Sequence, residues 1–362
     1  MPRNLKNRIA LVYDYLRRRP RLKAFPFEVQ IGITNRCNLD CVFCPQRFSK
    51  KKKGNMELDL LDHILTQVYP YVDTVDLSFD GEPFLHPNWV ECIEACHRHK
   101  INPMLETNAM LMDEGLSREV LAVGIGSITF SIDAATSETY SKLKPSGDFS
   151  RVVSNVEKFL SLSGKVEKRR KPYIQIQFVR TEENSSEAGQ FLRQWRGKGA
   201  DAVHIKPMLN FAGSIGPPPV TPARRPCLFL WTSLAIHYDG VVPICCLEIE
   251  GRTDMGNARD QSLKEIINSP GFISARTLHS KGDYRDHPIC RQCDVPSVAW
   301  PYLLGAAFVG DMTRRRIINL MEHFFPVSGR RDCSEESLHL HNRPALREPE
   351  GTDEREKEGI DR

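Results

Sequence analysis

Three cysteines within eight residues constrain this chain more than any other feature of its sequence. Cys37, Cys41 and Cys44 follow a β-rich run, residues 27–34. Thiolates hold iron in iron–sulfur clusters, and a four-iron cluster bound by protein alone takes four of them. The next cysteine or histidine is His63, so one iron would lack a protein ligand and could bind a cofactor or substrate. A zinc site or a buried thiol cluster is the alternative interpretation.

Length and composition indicate the class of protein. The 362 residues exceed the roughly 250 to 300 at which one core stops growing, which predicts a main domain and a smaller one. A net charge of +4 is too small to indicate nucleic acid binding. We see no signal peptide and no apolar run long enough for a membrane helix, the best candidate being residues 300–309. The eleven cysteines therefore indicate reduced, metal-binding thiols in the cytoplasm.

Short β-rich runs alternate with longer helical patterns from residue 27 onward. This alternation predicts parallel strands with right-handed crossovers, arranged as a doubly wound sheet or as a barrel. In both architectures ligands bind at the carboxyl ends of the strands, where the cysteine window lies. The predicted strands are residues 29–34, 74–79, 104–107, 127–132, 173–179 and 202–205, and the main predicted helices are 58–69, 88–97, 113–123, 149–162 and 186–196.

Composition also predicts where domains begin and end. Residues 1–26 contain a basic amphipathic helix, which we expect to dock on the main domain rather than to bind a membrane. The main domain follows at 27–211, and the Pro- and Gly-dense residues 212–226 predict a linker. Beyond it we predict a small domain at 227–300, a helical segment at 301–331 and a disordered tail at 332–362.

Polar motifs follow the next three predicted strands. They are Gly81-Glu82-Pro83, then Asn108, then Ser131 and Asp133. Together with the C-x3-C-x2-C window they resemble the radical S-adenosylmethionine (SAM) superfamily. The resemblance implies an α/β fold, a partial (β/α)6 barrel of the TIM type. It also implies a 4Fe-4S cluster on the three cysteines of the window, whose open iron binds SAM.

The same resemblance implies roles for the motif residues. The Gly81-Glu82-Pro83 motif would receive the amino group of SAM, with glycine allowing a close backbone approach. Asn108, Ser131 and Asp133 would hydrogen-bond the ribose and carboxylate of SAM. The family form usually has two glycines before the glutamate, and Asp80 stands here in the first place. The alternative interpretation of Asn108, Ser131 and Asp133 is that they are strand-end residues that cap the next helix.

A second group of cysteines lies in the last third of the chain. Among them, Asp239-Gly240 separates two β-rich runs, residues 234–238 and 241–244, and predicts a hairpin. The arrangement resembles the shortened SPASM or twitch-type domain of radical SAM enzymes, which implies one auxiliary 4Fe-4S cluster. A structural zinc is the alternative. The implied ligands are Cys227, Cys245, Cys290 and Cys293.

Cys246 is left over beside Cys245. Neighbouring residues of an extended chain point to opposite sides, so Cys246 either packs away from the cluster or replaces Cys245 as a ligand. A sharper hypothesis is that Cys246 donates a hydrogen atom to a substrate radical.

The resemblance implies reductive cleavage of SAM to a 5'-deoxyadenosyl radical that abstracts a hydrogen atom from the substrate. A four-cysteine auxiliary cluster has no open iron, so we expect it to take an electron from the substrate, which favours oxidation; epimerisation is the other candidate. We predict a small hydroxylated or amino metabolite as substrate, because little sequence precedes the main domain to hold a peptide-binding module. A maturase of a ribosomally made peptide and a non-catalytic electron carrier are the alternatives. The expected partners are SAM and an external electron donor such as flavodoxin or ferredoxin.

Overall fold

A seven-stranded sheet, parallel throughout, forms the centre of the computed structural model, which describes residues 4–216 and 226–295. Its strands are β1 (Glu28–Ile31), β2 (Thr74–Asp76), β3 (Asn102–Thr107), β4 (Ser127–Ser131), β5 (Tyr173–Arg180), β6 (Ala202–Pro207) and β7 (Ser233–Ile236). The six predicted strands are β1 to β6, and β7 was not expected in this sheet. The predicted segments 301–331 and 332–362, and most of the linker, lie outside the described residues.

The order of the strands decides between a doubly wound sheet and a barrel, which the sequence periodicity could not do. The order is β6-β5-β4-β3-β2-β1-β7, so from β1 to β6 each strand lies beside the next one along the chain. A doubly wound sheet reverses direction at a switch point, whereas a barrel winds in one direction. β6 and β7 stand at opposite ends of the order. The predicted open, partial barrel is therefore confirmed.

Helices connect successive strands. Those in the described residues are α1 (Leu5–Leu16), α2 (Leu58–Val68), α3 (Trp89–Arg98), α4 (Glu114–Val123), α5 (Ser137–Leu143), α6 (Phe149–Ser163), α7 (Ala188–Trp195), α8 (Phe229–Thr232), α9 (Leu263–Ile266) and α10 (Pro270–Lys281). Asp113 and Asp148 cap two of these helices: Asp113 accepts a hydrogen bond from Leu116 N, and Asp148 accepts one from Arg151 N. The prediction missed α5. None of the described helices has the length and hydropathy that a membrane span requires.

The barrel sheet has one apolar face and one polar face. Val29 and Ile31 of β1 pack with Leu61 and Ile64 of α2 in the main core, on the outer face. Parallel register places the alternate residues together on the inner face, for example Gln30 opposite Asp76 and Glu106 opposite Thr129. Polar residues of this inner face include Glu28, Gln30, Asp76, Glu106, Thr129, Ser131, Gln175, Gln177, His204 and Ser233.

β7 joins the second cysteine region to the barrel. The predicted turn is present, since Gly240 has a φ of +89° and donates a hydrogen bond to His237 O at 2.9 Å. The runs on either side of the turn take different partners. β7 pairs in parallel with β1, whereas Val241 forms an antiparallel bridge with Asn257. The region after the linker therefore completes one edge of the main sheet.

α1 docks on the protein as predicted. Leu11 and Tyr15 are buried in a second apolar cluster, and the ring of Tyr15 meets that of Trp231 edge-on. Arg8 is fully buried, and its Nη2 lies 3.2 Å from Asp73 Oδ2. This ion pair gives the buried cation a partner on the loop before β2.

Candidate functional site

Cys37, Cys41 and Cys44 lie in the loop that follows β1, at the carboxyl edge of the barrel. Cys44 N donates a hydrogen bond to Cys41 O at 3.1 Å, and a short 3₁₀ turn (Pro45–Phe48) begins directly after Cys44. Burial raises the pKa of Cys41 to about 12 and that of Cys44 to about 11. Free thiols here hold their protons at neutral pH, so binding of a metal must release them.

The donor set of this loop fits a four-iron cluster with one open iron. The three sulfurs are near enough for the charges of Cys37 and Cys44 to act on Cys41. In the described part of the chain, no three His, Cys, Asp or Glu side chains converge on a single-ion site. A four-iron cube needs no such convergence, because each thiolate binds its own iron.

Two predicted motifs meet at Glu82. Thr107 Oγ1 donates to Glu82 Oε1 at 2.8 Å, and Asn108 N donates to Oε2 at 2.9 Å. The Asn108 side chain also reaches the cysteine loop, with Nδ2 at 3.9 Å from Cys37 Sγ. Burial raises the pKa of Glu82 to about 7, although these hydrogen bonds lower it. A carboxylate held in this way, beside the cysteine loop, is suited to accept hydrogen bonds from an amine.

Gly81 lets the loop that carries Glu82 (the glutamate loop) pack directly on the loop that carries Cys37, Cys41 and Cys44 (the cysteine loop). A Cβ at this position would lie 2.3 Å from Thr34 O and 2.7 Å from Arg36 O. The next residue is fixed by a hydrogen bond of 2.8 Å from Glu82 N to Arg36 O. The two loops therefore hold each other in place through backbone contacts that leave no room for a side chain.

Lys144, at the end of α5, is a site residue that the sequence analysis missed. It is buried, and its Nζ lies 2.7 Å from Asp133 Oδ2 and donates to Ser131 O at 2.5 Å. Burial alone would lower the pKa of Lys144, but the charges of Asp133, Cys41 and Tyr140 outweigh it and raise the pKa. The usable signal was the run 136–145, in which a Thr cap, apolar residues at helical spacing and a closing proline indicate a short helix.

Ser131 and Asp133 already have partners within the protein. Asp133 has a φ of +67°, and its Oδ1 accepts a hydrogen bond of 2.7 Å from Val179 N while Oδ2 faces Lys144. Ser131 Oγ accepts a hydrogen bond of 3.3 Å from Gln177 Nε2. Their contact with a ribose stays a prediction.

The structure brings three cysteines of the second group together. Cys227, Cys245 and Cys293 pack in one apolar cluster, and the charges of the other two act on Cys245. Cys290 begins the short 3₁₀ turn that ends before Cys293, and Cys293 N donates to Cys290 O at 3.2 Å. Burial raises the pKa of Cys245, so a metal would again displace a proton here.

Cys246 points away from that group. It packs instead with Phe79, Ala235 and Ile249, and Ala235 lies on the inner face of the barrel. The chain bends and turns here, with Glu248 N donating to Cys245 O at 3.2 Å, so the different surroundings of the two thiols come from this turn and not from an extended chain. Hydrogen-atom donation by Cys246 stays a hypothesis.

Comparisons with known proteins agree with this geometry. A profile of the radical SAM superfamily matches residues 31–168, and one of the SPASM iron–sulfur cluster-binding domain matches residues 227–294. A similar curated protein is the tungsten-containing aldehyde ferredoxin oxidoreductase cofactor-modifying protein of Pyrococcus furiosus. It is 25% identical over 73% of this chain and 86% of its own length. A probable GTP 3',8-cyclase of Methanocaldococcus jannaschii is 28% identical, and this chain spans 46% of its length.

Solved structures share the fold at low identity. Streptococcus suis SuiB bound to the precursor peptide SuiA matches with a TM-score of 0.59 and 14% identity, over 80% of this chain and 73% of that one. BtrN in complex with AdoMet and 2-DOIA matches with a TM-score of 0.54 and 18% identity, over 76% of this chain and 96% of that one. At these identities the likeness shows the architecture alone.

Proposed function

Because the chain belongs to the radical SAM superfamily and carries a SPASM iron–sulfur domain, we propose that it oxidises or epimerises a small hydroxylated or amino metabolite. The superfamily domain uses a 4Fe-4S cluster with SAM, and SPASM domains bind auxiliary iron–sulfur clusters. When bound, the first cluster supplies the electron that cleaves SAM to a 5'-deoxyadenosyl radical. An oxidoreductase of this kind draws that electron from an external donor such as flavodoxin or ferredoxin.

The residues that hold these groups follow from the site. We assign Cys37, Cys41 and Cys44 to the cluster that binds SAM, since they lie beside the Glu82 carboxylate. Lys144 supports this site electrostatically, because its charge lowers the pKa of Cys41, Cys44 and Glu82. We assign the auxiliary cluster to Cys227, Cys245, Cys290 and Cys293; the assignment is supported by the apolar cluster that holds three of them and by the short turn from Cys290 to Cys293.

The polar inner face of the barrel carries the proposal for the substrate. A barrel interior that serves only as a core is filled mainly by branched apolar side chains. Here β1, β2 and β3 instead direct Glu28, Asp76 and Glu106 inward. An inner face that carries carboxylates, amides and hydroxyls is suited to a compact substrate that bears hydroxyl or amino groups. It is less suited to the apolar side chains of a peptide.

The proposal is tested with reconstituted, SAM-loaded protein and a panel of cyclitols, aminocyclitols and amino sugars that includes myo-inositol, glucosamine and 2-DOIA. Oxidation predicts a product two mass units lighter, formed with 5'-deoxyadenosine. Epimerisation predicts an isomer that gains one deuterium in D2O. Product from a short peptide, with none from the panel, would favour the peptide maturase. No SAM cleavage in any incubation would favour the electron carrier.

We expect the affinity for SAM to rise with pH through the titration of Glu82. Its pKa is raised to about 7 by burial, so the carboxyl is largely protonated at pH 6 and ionised at pH 8. Only the ionised form can accept hydrogen bonds from the SAM amine with both oxygens. The ratio of the dissociation constant at pH 6 to that at pH 8 should therefore be about tenfold larger in wild type than in Glu82→Gln. Equilibrium dialysis of labelled SAM measures both ratios, and equal ratios would contradict the assignment.

A further inference from the structure

Asp80 and His237 form a buried acid–histidine pair that the proposed function does not yet use. His237 Nδ1 lies 2.6 Å from Asp80 Oδ2, and the side chains are 0% and 2% exposed. The two residues are 157 positions apart in the chain. When Asp80 is ionised its carboxylate only accepts, so Nδ1 carries the hydrogen of this bond, and in that tautomer of the ring Nε2 has a lone pair.

The surrounding backbone makes room for this pair. A Cβ on Gly32, at the end of β1, would lie 2.0 Å from Asp80 Oδ1. The Asp80 side chain therefore depends on a glycine on the neighbouring strand. Asp80 stands where the family motif usually has its first glycine, which has no side chain to form such a bond. The pair is thus a feature of this chain, built from three matched positions.

His237 contacts Phe79 and Asp80, which lead into the loop that carries Glu82, and Phe79 also packs with Cys246. Leu234 and Ile236 of β7 face the outer core, so Ala235 and the position of His237 share the inner side. The His237 ring contacts Phe79 at a centroid distance of 5.0 Å, and Phe79 packs with Cys246. Asp80 lies two residues before Glu82, which we assign to SAM. The pair therefore stands at the carboxyl edge of the barrel, where ligands bind.

Nε2 of His237 is buried and has no hydrogen-bond partner among the described residues. Burial raises the pKa of Asp80, and the bond to His237 and the charge of Lys51 oppose this rise. The other groups whose charges reach this region are Asp239, which is paired with Lys51 at 3.3 Å, and Tyr238. Within residues 4–216 and 226–295, Asp80 is the acid that bonds the histidine, and Nε2 has no hydrogen-bond partner that would compete with a substrate for it.

We propose that His237, oriented by Asp80, is the proton acceptor for oxidation of the substrate. This inference rests on the proposed function. At a carbon that bears a hydroxyl group, the C–H hydrogen atom leaves to the 5'-deoxyadenosyl radical and the O–H proton leaves to His237 Nε2. An oxidised auxiliary cluster held by Cys227, Cys245, Cys290 and Cys293 would accept the remaining electron, and the carbon–oxygen bond becomes double. At a carbon that bears an amino group, the same three transfers give an imine.

The test compares His237→Asn with wild type in reconstituted holoenzyme. Asparagine places an N–H near the position of Nδ1, so the bond to Asp80 can persist while Nε2 is removed. We expect product from the substrate panel to fall at least about 100-fold, as for loss of a general base. SAM cleavage without substrate, iron content and melting temperature should stay at their wild-type values. At saturating SAM, the product rate of wild type should fall more steeply as the pH is lowered than that of the variant.

His99→Asn is the matched control, because His99 also pairs with a carboxylate, Asp62 Oδ1 at 3.0 Å, but at the protein surface. It should leave product formation unchanged. Equal product rates in wild type and His237→Asn would overturn the inference while leaving the proposed function in place. Wild type that cleaves SAM but converts no member of the panel would overturn the proposed substrate class, and the inference with it.

Discussion

Lys144→Met should destabilise the protein by about 3–5 kcal/mol, because it leaves the buried carboxylate of Asp133 without its cation. Both side chains are almost fully buried, and their charged atoms are 2.7 Å apart. The double variant Lys144→Met/Asp133→Asn should recover most of this loss, since it removes both charges while the new amide oxygen can still accept from Val179 N. Urea denaturation of the single and double variants measures the free energies of unfolding.

Lys142→Met supplies the matched control on the same helix. Lys142 also forms an ion pair, at 2.7 Å from Glu138, but the two side chains are 60% and 79% exposed. Exposed pairs contribute little to stability, so this variant should unfold at nearly the wild-type urea concentration. If Lys144→Met also unfolded at the wild-type urea concentration, the ion pair of Lys144 and Asp133 would not stabilise the protein as described.

Gly81→Ala should greatly weaken SAM binding while the protein still folds. The new methyl group would lie 2.3 Å from Thr34 O, so the glutamate loop must move away from the cysteine loop. A displacement of about 1 Å can cost on the order of 100-fold in rate when it misplaces reacting groups. We therefore expect SAM cleavage to fall by about that factor. Calorimetric SAM titration and chromatography of 5'-deoxyadenosine measure binding and cleavage.

Gly164→Ala is the control for this second prediction. Gly164 follows α6 in a right-handed helical conformation, and a Cβ there would meet its nearest atom, Ser161 O, at an ordinary 3.5 Å. The substitution should leave SAM cleavage unchanged. Normal cleavage by Gly81→Ala would show that the close approach of the two loops is not needed.

Local patterns were sufficient to predict the first six strands and the main helices. Residues 58–69 and 149–162 have helical apolar spacing, and the helices Leu58–Val68 and Phe149–Ser163 match them. The spacing of Cys37, Cys41 and Cys44 also predicts one candidate site from sequence alone, because three ligands on one short loop need no tertiary information.

Long-range pairing accounts for what the sequence could not predict. The strand Ser233–Ile236 pairs with β1, from which it is separated by about 200 residues, and no local pattern specifies that partner. The hydrogen bond between Asp80 and His237 could not be predicted from local patterns for the same reason. Lys144 was missed because local signals indicate only the short helix before it, and none of them pairs Lys144 with Asp133.

The most direct test of the account is anaerobic reconstitution with iron and sulfide, followed by iron counting and incubation with SAM and dithionite. The account predicts about eight irons per chain, four for each cluster, and formation of 5'-deoxyadenosine. Cys37→Ala should abolish 5'-deoxyadenosine formation and retain about four irons, those of the auxiliary cluster. Zinc in place of iron, or intact SAM after incubation with the reduced wild-type protein, would contradict it.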